Sequence, residues 1–82
     1  MDIRSIVVRA IGEELLVLDP RMKLIHQLNP TAALIWRRRE QGASAEAMTH
    51  ELTLRFDVDS ATARVDVSNI LDRFRSLGLL AD

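Results

Sequence analysis

The chain has 82 residues, 48% of them apolar and 28% charged, with a net charge of −1 and no cysteine. That length suits one small domain with a modest core, and that balance excludes a disordered chain, a disulfide scaffold and thiolate chemistry. Eleven basic residues against twelve acidic ones also weigh against a nucleic-acid module, whose affinity comes largely from neutralised phosphates.

Met1 to Arg4 reads as a lead-in. The run SIVVRAI, Ser5 to Ile11, is rich in β-branched residues and predicts a first strand. After the compact turn Gly12-Glu13, ELLVLD from Glu14 to Asp19 predicts a second strand. It is apolar on both faces, which suits a central position. Asp19-Pro20-Arg21-Met22 is a turn signal, with proline where a type I turn wants its fixed φ. A third strand follows from Lys23 to Leu28. Such short links imply an antiparallel meander with the second strand in the middle and the first and third as edges.

Asn29-Pro30 ends that strand abruptly. Asparagine is a good N-cap and proline suits the first helical position, so a first helix runs from Pro30 to Glu40. Arg37, Arg38 and Arg39 fall in its last turn. There they complement the helix dipole, which is the plainer reading beside phosphate binding. Gly42 stops this helix, Ser44 caps a second from Ala45 to Arg55, and Asp59 or Ser60 caps a third from Ala61 to Leu77. Ala63, Val67, Ile70, Leu71, Phe74 and Leu77 form an amphipathic stripe on the third helix, which Gly78 ends before Leu79-Leu80 packs back. The expected fold is α+β, a three-stranded antiparallel sheet followed by three helices, over residues 1–82 as a single domain.

Groups for catalysis do not converge. His26 and His50 sit on different elements without a cysteine, and a lone histidine of this kind is more often a surface or satisfied residue than a metal ligand. The serines lack a nucleophile elbow, and Gly12, Gly42 and Gly78 are isolated rather than part of a phosphate loop. Neither a catalytic residue nor a metal or other cofactor site is expected. No apolar run approaches the roughly 20 residues of a membrane span, and the N-terminus lacks a signal-peptide layout, so a cytoplasmic, non-membrane protein is expected.

Two stretches carry a family resemblance. VLDPRMKLIHQLNPTAALIW, Val17 to Trp36, and DVDSATARVDVSNILDRFRSLGLL, Asp57 to Leu80, together resemble the PqqD family. The first opens a helix with Leu-Asn-Pro-Thr-Ala-Ala-x-Ile-Trp and the second closes the fold with Gly-Leu-Leu. The resemblance implies a winged-helix-like domain that binds the leader of a ribosomally made precursor peptide and presents it to a modifying enzyme. That enzyme would be a radical SAM enzyme or a lasso-type protease or cyclase. The implied site is an added β-strand along the third strand, in the cleft against the third helix. Two positions depart from the family pattern: Lys23 stands where glycine is usual, and Ile25 where an aromatic is usual. They imply a tighter or differently twisted hairpin and a reduced side-chain contact. The likeness is to the broad peptide-recognition group, so no cofactor pathway is assigned.

The residues support the same site from physical grounds. The third strand has no downstream strand to pair with, and an edge without an internal proline is a template for β-augmentation. Only Lys23 and His26 stand near it as polar protection. Backbone pairing alone is insufficient: roughly five hydrogen bonds at about 0.5–1.5 kcal/mol net are offset by about 1–2 kcal/mol of ordering entropy per peptide residue. Side-chain anchors must supply the surplus. The expected binding residues are therefore Lys23, Leu24, Ile25, His26, Gln27 and Leu28 on the strand, with Val67, Ile70, Leu71 and Phe74 dividing between core and cleft. Asp66, at the border of the stripe, is placed to meet a basic or hydroxyl group.

Two other classes compete. The second and third helices resemble a helix-turn-helix, with Arg64, Arg73 and Arg75 on the third. Asp57, Asp59, Asp66 and Asp72 on or beside that helix would repel phosphates. A bare structural unit pairing with itself through the open edge is the third reading; the sequence leaves the oligomeric state open.

Overall fold

The computed structural model describes residues 6–80. The lead-in and Ser5 lie outside the described residues. Three strands, β1 (Val7–Ile11), β2 (Glu14–Asp19) and β3 (Leu24–Leu28), are followed by three helices, α1 (Pro30–Glu40), α2 (Ala45–Arg55) and α3 (Ser60–Ser76). The sheet is an antiparallel meander in the order β1-β2-β3. Its register sets Val8 opposite Val17 and Val17 opposite His26, and it sets Leu15 opposite Leu28.

That register fixes which side chains share a face. Along β2 burial alternates: Leu15, Val17 and Asp19 are buried, whereas Glu14, Leu16 and Leu18 are half-buried. One face of the sheet is therefore packed under the helices and the other is open. His26 and Leu28 lie on the packed face; Ile25 and Gln27 lie on the open one.

The helices start on side-chain caps. Asn29 Oδ1 accepts from the Ala32 N–H at 2.9 Å, Ser44 Oγ from Ala47 at 3.1 Å, and Asp59 Oδ1 from Thr62 at 2.7 Å. Each cap satisfies an amide that the helix itself leaves orphaned. Asp59 rather than Ser60 caps α3, so that helix begins one residue earlier than expected. Its other end is a Schellman motif: Leu79 N–H donates to the Phe74 carbonyl at 2.9 Å, and Gly78 N–H to the Arg75 carbonyl at 3.0 Å. Gly78 sits at φ +72°, a conformation that costs glycine nothing. The motif turns Leu79 back into the protein, where it is 2% exposed.

Ile35, Trp36, Met48, Leu52, Val67 and Phe74 form the centre of the core. Trp36 and Phe74 meet edge to face at 5.3 Å and 83°, joining α1 to α3. Such a pair contributes about 0.5–1.5 kcal/mol beyond the area it buries.

β3 starts at Leu24, one residue later than expected. Lys23 belongs to the turn because its φ is +56°. This is the left-handed conformation that glycine adopts freely. The hairpin thus keeps a left-handed turn residue, with lysine bearing the steric cost.

Candidate functional site

The edge of β3 faces a cleft of about 310 Å³ whose opposite wall is α3. Ile25, His26, Gln27, Leu28 and Asn29 line it from the strand and the cap; Ile70, Arg73, Phe74 and Leu77 line it from the helix. Ala32 adds to the lining from α1, and the chain reversal at Gly78 delivers Leu79. No residue of β1, the other sheet edge, contributes to this lining. β3 is therefore an edge with a facing wall.

The sequence expectations divide on this geometry. Ile25, His26, Gln27, Leu28, Ile70 and Phe74 come together in the cleft, whereas Lys23, Leu24, Asp66, Val67 and Leu71 do not line it. Lys23 is in the turn, and Leu24 is 46% exposed at the hairpin end. Asp66 precedes Ile70 by one helical turn on the same stripe, half-buried and beyond the cleft's end. Val67 and Leu71 are 1% and 7% exposed. Of the four apolar residues expected to divide between core and cleft, these two fall to the core, and both line a different groove, between α2 and α3.

That second groove is larger, about 770 Å³, and is lined by Glu46, His50, Arg64, Asp72 and Arg75 among others. Size does not favour it. It lies between two helices whose backbone groups are already bonded, so it offers no strand edge for pairing, and its charges are of both signs.

The missed lining residues are Asn29, Ala32, Arg73, Leu77 and Leu79. Leu77 and Arg73 follow Ile70 at seven- and three-residue spacing on α3, a signal available in the sequence. Leu79 was not recoverable that way, since only the Schellman reversal brings it round.

His26 is neither a plain surface residue nor a satisfied one. It is half-buried, and its Nε2 is buried without a hydrogen-bond partner among the described residues. Trp36 Nε1 shares that condition. Gln27, on the open face, is tied across the sheet by its Nε2, which donates to Glu14 Oε1 at 2.7 Å.

One end of the cleft is held by an ion pair. Asp19, 1% exposed, accepts from Arg21 Nε at 2.8 Å and from Arg21 Nη2 at 2.9 Å. Arg21 Nη2 also donates to the Gly78 carbonyl at 2.9 Å. The β2–β3 turn is thereby tied to the end of α3. The hydrogen bonds from Arg21 hold the Asp19 carboxyl below its ordinary value of 3.8, outweighing the opposing effect of burial.

The arginines are mostly committed elsewhere. Arg38 clamps Glu51 of α2 through Nε at 2.6 Å and Nη2 at 2.7 Å, and Arg55 adds a contact at 2.9 Å. Arg75 pairs with Asp72 at 3.0 Å. Arg38, in the cluster ending α1, thus ties α1 to α2, and Arg75 is part-neutralised on the face a helix-turn-helix would present to DNA. Among the described residues, no group of three His, Cys, Asp or Glu side chains gathers as a metal site would need, and no helix is long and apolar enough to cross a membrane.

A three-stranded antiparallel meander followed by three helices, with a β-edge facing a helical wall, makes this an α+β fold. The chain belongs to the PqqD family, described as coenzyme PQQ synthesis protein D, which matches residues 14–80. Among solved structures it resembles a lasso peptide synthetase B1 complexed with the leader peptide, at 30% identity over 89% of this chain and 86% of that one, with a TM-score of 0.81. It shares its fold with TbiB1 in complex with the TbiA(beta) leader peptide, at 22% identity over 93% and 88% of the two chains and a TM-score of 0.83. No curated protein matches it.

Proposed function

We propose that the protein binds the leader region of a ribosomally made precursor peptide as an added strand on β3 and presents it to a modifying enzyme. The observation that carries the reading is the cleft itself: the β3 edge and the Ile70–Phe74–Leu77 face of α3 enclose one space. The edge supplies backbone hydrogen bonds, and alternate peptide side chains enter the cleft, where burial gives the surplus that pairing lacks. Solved relatives bound to leader peptides support the assignment. On this reading residues 1–82 are one recognition domain that binds rather than catalyses, works in the cytoplasm, and acts through a partner such as a radical SAM enzyme or a lasso-type protease or cyclase. The binding residues are Ile25, His26, Gln27, Leu28, Ile70 and Phe74, joined by Arg73, Leu77 and Leu79.

The DNA-binding alternative is not favoured. Asp72 engages Arg75, and Asp66 and Asp72 both stand on the helix that would enter the groove. The test is to titrate the cognate leader peptide into isotope-labelled protein. Amide signals of Leu24–Leu28 and of the Ile70–Leu77 segment shift; silence there with the leader in excess contradicts the reading.

A further inference from the structure

The lining of the cleft is uneven in charge. Its eleven lining residues include one permanent charge, the Arg73 guanidinium, and no carboxylate. Arg21, Arg38, Arg55 and Arg75 all have carboxylate partners. Arg73 is exposed, and its side chain makes no hydrogen bond or ion pair with the described residues. Its neighbour Asp72 is taken by Arg75. Asp66 lies seven residues earlier, about 10 Å along the helix axis, beyond ion-pairing reach.

An unpaired cation at an apolar wall attracts an anion more strongly than one on open surface, because the wall lowers the effective dielectric. We propose that Arg73 is a specificity residue of the cleft, pairing with an Asp or Glu on the cleft-facing side of the bound strand. This rests on the reading that the peptide adds to β3. Cleft-facing side chains of a strand recur about every 6.6 Å. Arg73 stands three residues from Ile70 and four from Leu77, about 4.5 and 6 Å along α3. An acidic residue at Arg73 therefore places apolar residues two positions away against Ile70 or Leu77. The recognised pattern is apolar–x–acidic–x–apolar. Asp66, one turn beyond Ile70, repels the acid from that end and helps to fix the register.

The test uses the fluorescein-labelled cognate leader peptide, with each Asp and Glu changed in turn to Asn or Gln. Each peptide is titrated against the wild-type protein, Arg73→Gln and Arg73→Glu; the exposed position keeps these variants folded. One acid-to-amide change weakens wild-type binding about fivefold to thirtyfold and has no further effect on Arg73→Gln. Replacing that same acid with lysine restores binding to Arg73→Glu. Equal affinity of Arg73→Gln and wild type for the unchanged leader overturns the proposal, as does an amide penalty that is the same on both proteins. Amide shifts along β3, recorded with the unchanged leader, separate the two levels: present but independent of Arg73, they sink this inference alone; absent, they sink strand addition with it.

Discussion

Arg21 donates through Nη2 to the carbonyl of Gly78 at 2.9 Å, joining the β2–β3 turn to the residue that ends α3. The two residues are 57 positions apart in the chain. The same guanidinium is held by the buried Asp19 carboxylate, so three separate features meet at one point: a hairpin turn, a helix end and an ion pair. Because β3 and α3 are the two walls of the cleft, this contact sets their separation at one end.

Breaking it should loosen the cleft before it unfolds the protein. Arg21→Ala leaves the Asp19 carboxylate buried and unpaired, which is the costly way to break such a pair. Asp19→Asn keeps the shape and loses the charge. Both variants are expected to lower the thermal midpoint, Arg21→Ala more, and to shift the amide signals of Gly78 and Leu79.

The same pair predicts a pH dependence. The folded pKa of Asp19 lies below its ordinary 3.8. The stabilisation is therefore complete above that ordinary value and is lost as pH falls through the lower folded one. Glu51, held below its ordinary 4.5 chiefly by hydrogen bonds from Arg38, acts with the same sign. Thermal melts of wild type and Asp19→Asn between pH 2 and pH 6 are the check. The two curves converge at the acid end, because only the wild type has this contribution to lose.

Lys23 bears a conformational cost that glycine would not. At φ +56° a non-glycine residue loses about 1–2 kcal/mol, part of which glycine returns as unfolded-chain entropy. Lys23→Gly is expected to be neutral or to stabilise by up to about 1 kcal/mol. Lys23→Ile, β-branched at a left-handed position, is expected to destabilise by about 1–2 kcal/mol. Urea unfolding of the three proteins measures both.

Phe74 belongs to the core and to the cleft at once. It is 2% exposed, packs edge to face on Trp36, and lines the cleft. Phe74→Ala is expected to cost about 3–5 kcal/mol, much of the stability of a domain this small. Ile70→Ala, at a half-buried position on the same wall, should cost less stability and more binding. Urea midpoints and leader titrations on the two variants should rank them in opposite orders.

The order of elements was legible because each boundary carries its own local chemistry. Asn29, Ser44 and Asp59 cap, Pro30 fits a first turn, and Gly42 and Gly78 terminate; none needs a distant partner. The division of the α3 stripe was less legible. Val67, Ile70, Leu71 and Phe74 share one amphipathic pattern, and a helix wedged between a sheet edge and another helix has two apolar neighbours that periodicity does not distinguish. Asp19 and Arg21 read as turn residues because their second role depends on Gly78, far along the chain. Arg73 entered only among the arginines of the helix-turn-helix alternative: that it lines a cleft without a carboxylate is a property of the assembled walls.

Strand addition to β3 is tested most directly by amide hydrogen exchange with and without the leader. In an antiparallel edge strand every second amide points away from its partner, so outward N–H groups of Leu24–Leu28 exchange freely in the unbound protein. With the leader bound, those alternate amides slow while the edge of β1, Val7–Ile11, is unchanged. Protection confined to β1 or to the groove between α2 and α3, with the outward amides of β3 still exchanging freely, would contradict the account.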